Sequence, residues 1–482
     1  MDFYSANLAV FVVGNAYMLY RQYKRQKEEA GEELEHEVTE AEHRSDDDAE
    51  NQTPLLGTGT TDVAQQFQRD YFPVYALAMA ADWLQGPHIY AMYKYEKNIP
   101  EKVVAALYAA GFVSGAVSAS FAGELADRYG RRLACLAYCA AYFLTCLTML
   151  SNNLIVLFIG RLCGGISTTL LYSVFEAWLI TEYHQRGLSR TKLKLSDIFG
   201  YMTTISSVVA IVSGIVGDVL VNWLGGRVWP FMASAVCATL AMLLILKSWT
   251  ENYGTKQGSQ HNSFSDVKSG IRAIMADRRV LSLGLTLTFF EGAMYLFVFF
   301  WSAALKSART KAGSTDELPF GLIFSSFMCS MMAGSASFSL YTKRHTKEST
   351  SFILMLCVLL VSTCLSASVL LDHEQMLFWV LCLIEACIGA YYPSMSYLKS
   401  EVVEDGIRGR VYSLLRLPLN VFVVVAHSLD EEGMVQNSLV ILSWNYADKT
   451  TGDGHRNAVF MTCAALLMAS FFIIKRSFAP QM

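Results

Sequence analysis

Residues 123–132 read Gly123-Glu124-Leu125-Ala126-Asp127-Arg128-Tyr129-Gly130-Arg131-Arg132, and this charged turn falls between the second and third of twelve long apolar segments. Its glycines permit a close reversal of the chain, and Asp127 can accept hydrogen bonds from a helix N-terminus. Its arginines offer planar cations to carboxylates on neighbouring helices. The apolar segments predict a membrane bundle, and the charged turn indicates which kind of bundle it is.

The twelve apolar segments are each long enough for a membrane helix, which needs roughly 20 apolar residues to cross a bilayer. In lipid such a helix satisfies its own backbone hydrogen bonds. Composition agrees, because 53% of the 482 residues are hydrophobic, 17% are charged and the mean hydropathy is +0.32. We therefore predict an all-α integral membrane protein. The segments are 71–93, 102–125, 133–150, 154–181, 195–221, 229–248, 279–304, 318–341, 350–371, 376–398, 409–427 and 457–475.

A polar stretch divides the twelve segments into two sets of six. This spacing predicts an N-terminal half at 71–248, a central cytoplasmic loop at 249–278 and a C-terminal half at 279–477. Two six-helix halves, each built from 3+3 inverted repeats, are the plan of many secondary transporters. Lysine and arginine are concentrated in the segments that this plan puts in the cytoplasm, as the positive-inside rule requires.

A further apolar segment, residues 1–20, precedes the twelve and is followed at once by basic residues. A secretory signal peptide carries its positive charges before the apolar part. The reversed order predicts an uncleaved transmembrane anchor whose C-terminal end is cytoplasmic. Residues 21–70 contain 14 acidic and 6 basic residues. Like charges at this density repel, so we predict a largely disordered acidic cytoplasmic linker, with a regulatory or partner-binding tail as the alternative.

Three carboxylates that lie well inside apolar segments, Asp82, Glu291 and Glu385, are functional candidates by default, because an ionisable group there is costly. Asp82 precedes Gly86 and Pro87, which should interrupt the helix and free backbone carbonyls toward a cavity. Glu291 and Glu385 are central in their segments. We predict that Asp82 binds substrate or a coupling proton, and that Glu291 and Glu385 carry protons. Polar helix packing and quiet salt bridges are the alternatives.

Two arginines, Arg161 and Arg416, are also embedded in apolar segments. The guanidinium group presents five donors in a fixed geometry that matches an oxyanion. We predict that both bind an anionic substrate, against the alternatives of a structural or gating role for Arg161 and a local ion pair for Arg416. Small residues beside Arg161 would let neighbouring helices approach closely.

Four hydroxyl groups in membrane segments are weaker candidates for the substrate site. They belong to Ser325, Ser326, Tyr392 and Ser394. A serine in a helix often donates to a carbonyl of its own helix instead, and that is the alternative for these serines. The small residues at 213–217 predict a helix-packing face.

The charged turn and the two sets of six segments resemble the major facilitator superfamily, and several phrases resemble one branch, the molybdate-anion transporter family. The phrases are Ala81-Asp82-Trp83-Leu84-Gln85, Phe175-Glu176-Ala177-Trp178, Glu251-Asn252-Tyr253, Asp277-Arg278-Arg279-Val280-Leu281, Ile323-Phe324-Ser325-Ser326-Phe327-Met328, Tyr392-Pro393-Ser394-Met395-Ser396 and Arg416-Leu417-Pro418. The resemblance implies the major facilitator fold, with twelve transmembrane helices in two halves plus one extra N-terminal transmembrane helix. It also implies that the charged turn is a gating latch, comprising Gly123, Asp127, Arg128, Gly130, Arg131 and Arg132. Glu176, near the cytoplasmic end of its helix, is expected to reach the latch arginines.

The function implied by the resemblance is uptake of molybdate, a tetrahedral dianion. An interior-negative potential opposes its entry by about 2.3 kcal/mol per charge per 100 mV, so we expect coupling to protons. The alternatives are sulfate, an organic acid or a sugar as substrate, or a sensor or scaffold that keeps the fold without transport. We expect a monomer in the cell membrane, with an internal membrane as the alternative.

Other classes of function have no support in the sequence. The 11 cysteines lie almost wholly in apolar segments without metal-ligand spacing, and no phosphate-binding loop or hydrolase triad occurs. No basic patch of the nucleic-acid type is present. We therefore expect no enzyme activity, cofactor, metal site or nucleic-acid partner, only a bilayer, an oxyanion and coupling protons.

Overall fold

The computed structural model describes most of the two predicted halves and the first helix, and in these residues all regular structure is helical. The described residues are 3–21, 24, 58–119, 121–188, 191, 193, 195–254, 272, 274–314, 316–342, 347–403, 411, 414, 415, 418, 419, 422 and 453–478. Arg416 lies outside them. Nine of the described helices are long and apolar enough to cross a membrane.

The described helices are numbered here in chain order. Residues 3–21 form α1. The first half contains α2 (Thr58–Gln85), α3 (Ile89–Ala91, continued by a π-helical turn at Met92–Glu96), α4 (Glu101–Ala119), α5 (Ala122–Tyr129), α6 (Arg131–Thr148), α7 (Leu154–Gln185), α8 (Leu195–Leu224) and α9 (Val228–Ser248). The second half contains α10 (Arg278–Lys311), α11 (Phe320–Thr342), α12 (Lys347–Leu370), α13 (Glu374–Val402) and α14 (Asp453–Phe478).

Eleven of the twelve predicted segments correspond to described helices; the other, 409–427, is described only at isolated residues. The first segment differs at its start, since α2 begins at Thr58 and not at 71. Residues 58–70, assigned above to the disordered linker, are therefore helical. Packing accounts for the difference, because the rings of Phe67 and Tyr71 are buried and stacked with centroids 6.0 Å apart. The predicted interruption is present, and α2 ends at Gln85 directly before Gly86.

The two halves repeat one packing scheme, as the predicted fold requires. In the first half α2 packs against α9, α6 against α7 and α9, and α4 against α7. In the second half α10 packs against α14, α12 against α13 and α14, and α11 against α13. The corresponding helices of each half thus make the corresponding contacts.

The halves meet at the end of the bundle that the predicted topology places outside. There α8 packs against α11, and a Cβ added at Gly214 would lie 2.7 Å from the Gly321 carbonyl and 2.3 Å from Ser325 Oγ. This close approach confirms the predicted packing face at 213–217. Aromatic contacts between α4 and α10 extend the interface, with the rings of Tyr108 and Phe299 5.0 Å apart.

The N-terminal helix α1 packs on the second half. The Tyr4 ring contacts Phe378 of α13, and its hydroxyl donates to Glu374 at the N-terminal end of the same helix. Further along, the Asn15 amide donates to the Cys329 carbonyl of α11 at 3.0 Å. The helix thus descends from the predicted outer end of the bundle toward its middle, in the direction expected of the anchor.

Candidate functional site

Asp82 accepts hydrogen bonds from two tyrosines of the first half. Tyr142 of α6 donates to Oδ1 at 2.8 Å, and Tyr172 of α7 donates to Oδ2 at 3.3 Å. A third phenol, Tyr138, donates to the Ala78 carbonyl one turn earlier in α2. Asp82 thus lies within a cluster of phenols, and none of the described residues supplies a cation to it.

Two phenols, one from each half, border the space between the halves beside Asp82. Tyr172 is 55% exposed and lies near Tyr392 of α13, on the opposite half. Tyr392 is itself 37% exposed and donates to the sulfur of Met294 at 3.2 Å. Substrate sites of such transporters lie near the midplane, between the repeats. The structure therefore brings Asp82, Tyr172 and Tyr392 close together between the halves, and we call the space that Tyr172 and Tyr392 border the vestibule. Tyr392 stays a candidate for substrate binding, and Tyr172 is added as a new one.

Arg161 is partly buried between α7 and α4. Its Nε donates to the Leu107 carbonyl at 3.2 Å, and its guanidinium carbon lies 5.1 Å from the centroid of the Tyr108 ring. Within the described residues no carboxylate lies within ion-pair distance of it, so these partners leave its charge uncompensated. Since Tyr108 touches Phe299 of the second half, one aromatic layer separates Arg161 from that half.

Arg161 and Asp82 do not form one site. Arg161 and Tyr172 are eleven residues apart on α7, which places them on one face but about 16 Å apart along the axis at roughly 1.5 Å per residue. A single tetrahedral oxyanion is too small to touch both. Helix α7 therefore carries two separate polar sites, Arg161 beside α4 and Tyr172 toward the second half.

The remaining embedded ionisable residues are less completely defined. Glu385 is buried in α13 and has no hydrogen-bond or ion-pair partner among the described residues. Glu291 of α10 is half-buried and lies near Tyr391. Arg416, the second predicted oxyanion ligand, lies outside the described residues, so its position relative to Glu291 stays a prediction.

The three candidate serines lie in helix contacts and not on the vestibule. Ser325 donates to the Ile211 carbonyl of α8 at 2.8 Å, and Ser326 and Ser394 donate to carbonyls one turn back in their own helices. All three are fully buried. Their hydroxyls are occupied as the alternative interpretation anticipated, and substrate binding by them has no geometric support in this conformation.

The charged turn is held by the residues that follow α9. Gly130 alone separates α5 from α6 and has a φ of +118°, a backbone conformation that favours glycine. The Glu251 carboxylate accepts from the backbone N–H groups of Arg132 at 2.8 Å and Leu133 at 3.2 Å. The Asn252 carbonyl accepts from the N–H of Arg131 at 3.0 Å. Three of the four unpaired N–H groups at the start of α6 are thereby satisfied.

The latch arginines have other partners than the predicted one. Arg131 pairs with Asp127 at 2.7 Å and also donates to Thr181 and the Ala177 carbonyl of α7. Glu176 is exposed on α7 and contacts none of these arginines. The difference has a geometric reason, since Arg131 contacts Ala177 and Thr181, which lie on a different face of α7 from Glu176. Sequence reasoning missed Glu251 as the capping carboxylate, although it opens a phrase singled out for the resemblance.

Gly123, Arg128 and Asp127 complete the turn. Gly123 has open space where a Cβ would be, and Arg128 lies over its neighbour Tyr129, 5.5 Å from the ring centroid. The Asp127 carbonyl accepts from the N–H of Gly254 at 3.1 Å. The turn is thus tied to α7 and to the end of α9, all within the first half.

An ion-pair cluster connects α2 to the C-terminal end of α7. Arg186 contacts Asp70 at 2.9 Å and Glu182 at 2.8 Å. Burial by itself would lower the pKa of Arg186, but the hydrogen bonds to Asp70 and Glu182 outweigh it and raise that pKa. The guanidinium group therefore remains charged, and its role is structural.

The chain is similar to known proteins over most of its length. Residues 56–375 match a family model described as sugar transporters with 12 transmembrane segments. A molybdate-anion transporter of Danio rerio is 31% identical over 438 residues, covering 85% of this chain and 86% of the relative. One of Xenopus tropicalis is 30% identical and covers 86% of this chain and 87% of the relative. The chain belongs to the molybdate-anion transporter family of the major facilitator superfamily.

Solved structures agree with the fold of this family member. The peptide transporter POT in complex with sulfate superimposes with a TM-score of 0.64 at 12% identity, over 85% of this chain and 94% of that one. The nucleoside transporter NupG gives a TM-score of 0.60 at 14% identity, over 87% of this chain and 100% of that one. The predicted major facilitator fold is confirmed, and the chain is a multi-pass membrane protein.

Proposed function

We propose that this protein imports molybdate across the cell membrane by alternating access, with protons as the coupling ion. Relatives named as molybdate-anion transporters match this chain over most of its length and over most of their own. The observation that carries the proposal for this chain is Arg161, whose described partners are a carbonyl and an aromatic ring. A guanidinium group with neutral partners in a low-dielectric bundle is suited to bind a dianion.

The other predicted groups take supporting roles in this proposal. Arg416 is the second oxyanion ligand, and Asp82, Glu291 and Glu385 carry the coupling protons. Alternating access moves the two halves against each other, and the charged turn stabilises one end of that movement as a gating latch. The acidic linker lies on the cytoplasmic side, and the protein works as a monomer.

Uptake of radiolabelled molybdate into proteoliposomes tests the role of Arg161. Arg161→Gln should reduce uptake by roughly 10- to 150-fold, because a hydrogen bond to a charged group contributes about 1.5–3 kcal/mol. Arg161→Lys keeps the charge but loses the planar donor pair, so it should retain an intermediate rate. Equal uptake by the wild type and Arg161→Gln would remove the oxyanion role.

Competition distinguishes the substrate classes. Excess sulfate, an organic acid or a sugar is added against labelled molybdate in the same vesicles. Weak inhibition by all three supports molybdate, whereas nearly complete inhibition by excess sulfate would make the protein a general oxyanion transporter. Inhibition by a sugar alone would favour the class in the family-model description.

A further inference from the structure

The two hydrogen bonds to Asp82 differ in a way that matters for transport. Tyr142, which makes the 2.8 Å bond, is only 4% exposed and is enclosed by the first half. Tyr172, which makes the 3.3 Å bond, is 55% exposed. The longer bond is the weaker one. Asp82 therefore has one fixed donor and one donor that can turn to another acceptor in the vestibule.

Tyr172 faces the second half. It lies near Tyr392 of α13, so one phenol from each half borders the same space. A tetrahedral oxyanion presents four oxygen acceptors and needs donors from more than one direction. Two phenols from opposite halves provide such donors at a second place along α7, separate from Arg161.

The groups around Asp82 are uncharged when its tyrosines are protonated, so the charge of Asp82 itself determines whether an anion can bind beside it. The titratable groups facing it are Tyr138 and Tyr142 from α6 and Tyr172 from α7. The nearby polar groups of α8 and α9 are neutral. Ser206 accepts a hydrogen bond from Trp83, and Ser234 donates to the Ala81 carbonyl. An ionised Asp82 would repel a dianion beside it and would also hold the Tyr172 proton. A protonated Asp82 does neither.

We propose that Tyr172 is the residue that couples proton uptake to oxyanion binding: it donates to Asp82 while that carboxylate is ionised and donates to the oxyanion once Asp82 is protonated. A proton from water forms an O–H bond on Asp82, and Tyr172 keeps its own proton and changes only its acceptor. Tyr392 donates from the facing wall. This inference rests on the proposed function, since it assumes an oxyanion substrate and proton coupling.

Binding of labelled molybdate to the purified full-length protein, measured from mildly acidic to mildly alkaline pH, tests the proposal. Tyr172→Phe should weaken binding at acidic pH by roughly tenfold or more, the loss of one hydrogen bond to a charged ligand. Asp82→Asn, which is neutral at every pH, should bind at alkaline pH as tightly as the wild type binds in acid. Tyr392→Phe should show a loss similar to that of Tyr172→Phe.

Tyr142→Phe is the matched control, since it removes the other phenol from the same carboxylate. It should shift the pH at which binding falls while leaving the affinity at acidic pH within about twofold, well below the change expected for a lost charged hydrogen bond. Thermal unfolding of each variant verifies that it is folded. Equal acid-side losses in Tyr142→Phe and Tyr172→Phe, or no loss in Tyr172→Phe, would overturn the coupling role.

Failure of the proposed function gives a different result. A wild-type protein that binds no molybdate at any pH would refute the molybdate assignment itself. Wild-type binding that does not change with pH would refute proton coupling. Wild-type binding that rises in acid together with an unaffected Tyr172→Phe would refute only the role of Tyr172.

Discussion

At the scale of single residues, Gly130 is the position where the backbone itself decides the structure. Its φ of +118° is unfavourable for any residue with a Cβ, and an added Cβ would lie 2.5 Å from the Glu251 carboxyl carbon. Gly130→Ala should therefore lower the free energy of unfolding by at least about 1–2 kcal/mol. Gly123→Ala, seven residues earlier with open space around the Cβ, is the matched control and should leave stability unchanged. Thermal unfolding in detergent measures both, and equal melting temperatures would show that the turn rearranges freely.

Residue-scale features also mark the limit of sequence reasoning. Asp82 and Arg161 stand out in the sequence because a charge inside an apolar segment is costly. Tyr172 does not, since a tyrosine is common in a membrane helix and only the fold brings it to Asp82. Glu251 lies in a polar loop, and its capping of α6 depends on how α9 ends. Sequence spacing therefore finds groups that are unusual for their own segment and misses those whose role arises from contact between segments.

At the scale of elements, the length and hydropathy of a segment were sufficient to predict the long helices that the structure describes in both halves, because a bilayer imposes both. They did not predict the start of α2, which aromatic stacking extends beyond the apolar segment. Length and hydropathy also did not predict that α1 packs against the second half. Its residues 4, 8, 11 and 15 fall on one face at helical spacing, and Tyr4 and Leu8 on that face are buried.

The docked face of α1 leads to an element-scale prediction. Leu8→Ala should destabilise the protein by about 2 kcal/mol, the lower end for deleting a buried leucine side chain. Val13, on the same helix but 69% exposed, provides the control, and Val13→Ala should have no effect on the melting temperature. Equal melting temperatures for the two variants would mean that α1 is a separate anchor and not a part of the bundle.

At the scale of the whole molecule, the described contacts between the halves lie toward the predicted outer end. Asp218 of α8 accepts from the N–H of Gly321 at the start of α11, at 3.3 Å, and Arg227 pairs with Glu317 at 2.7 Å. The two contacts differ in strength. The Glu317 side chain is 76% exposed, so that ion pair contributes at most roughly 1 kcal/mol. The close packing around Gly214 and Gly321 is buried and admits no larger side chain.

The proposed alternating-access mechanism predicts a large effect for one substitution at this contact between the halves and a small effect for another. Gly214→Leu should prevent the outer ends from meeting, so it should abolish uptake and lengthen the distance between labels on Trp223 and Met376, at the outer ends of α8 and α13. Arg227→Gln should change the distribution of that distance only slightly, because a shift of roughly 1 kcal/mol or less alters a two-state ratio by under tenfold. Gly200→Leu, on the same helix with open space around its Cβ, controls for the added side chain. An unchanged distance and normal uptake in Gly214→Leu would mean that transport does not require the two halves to close at this end.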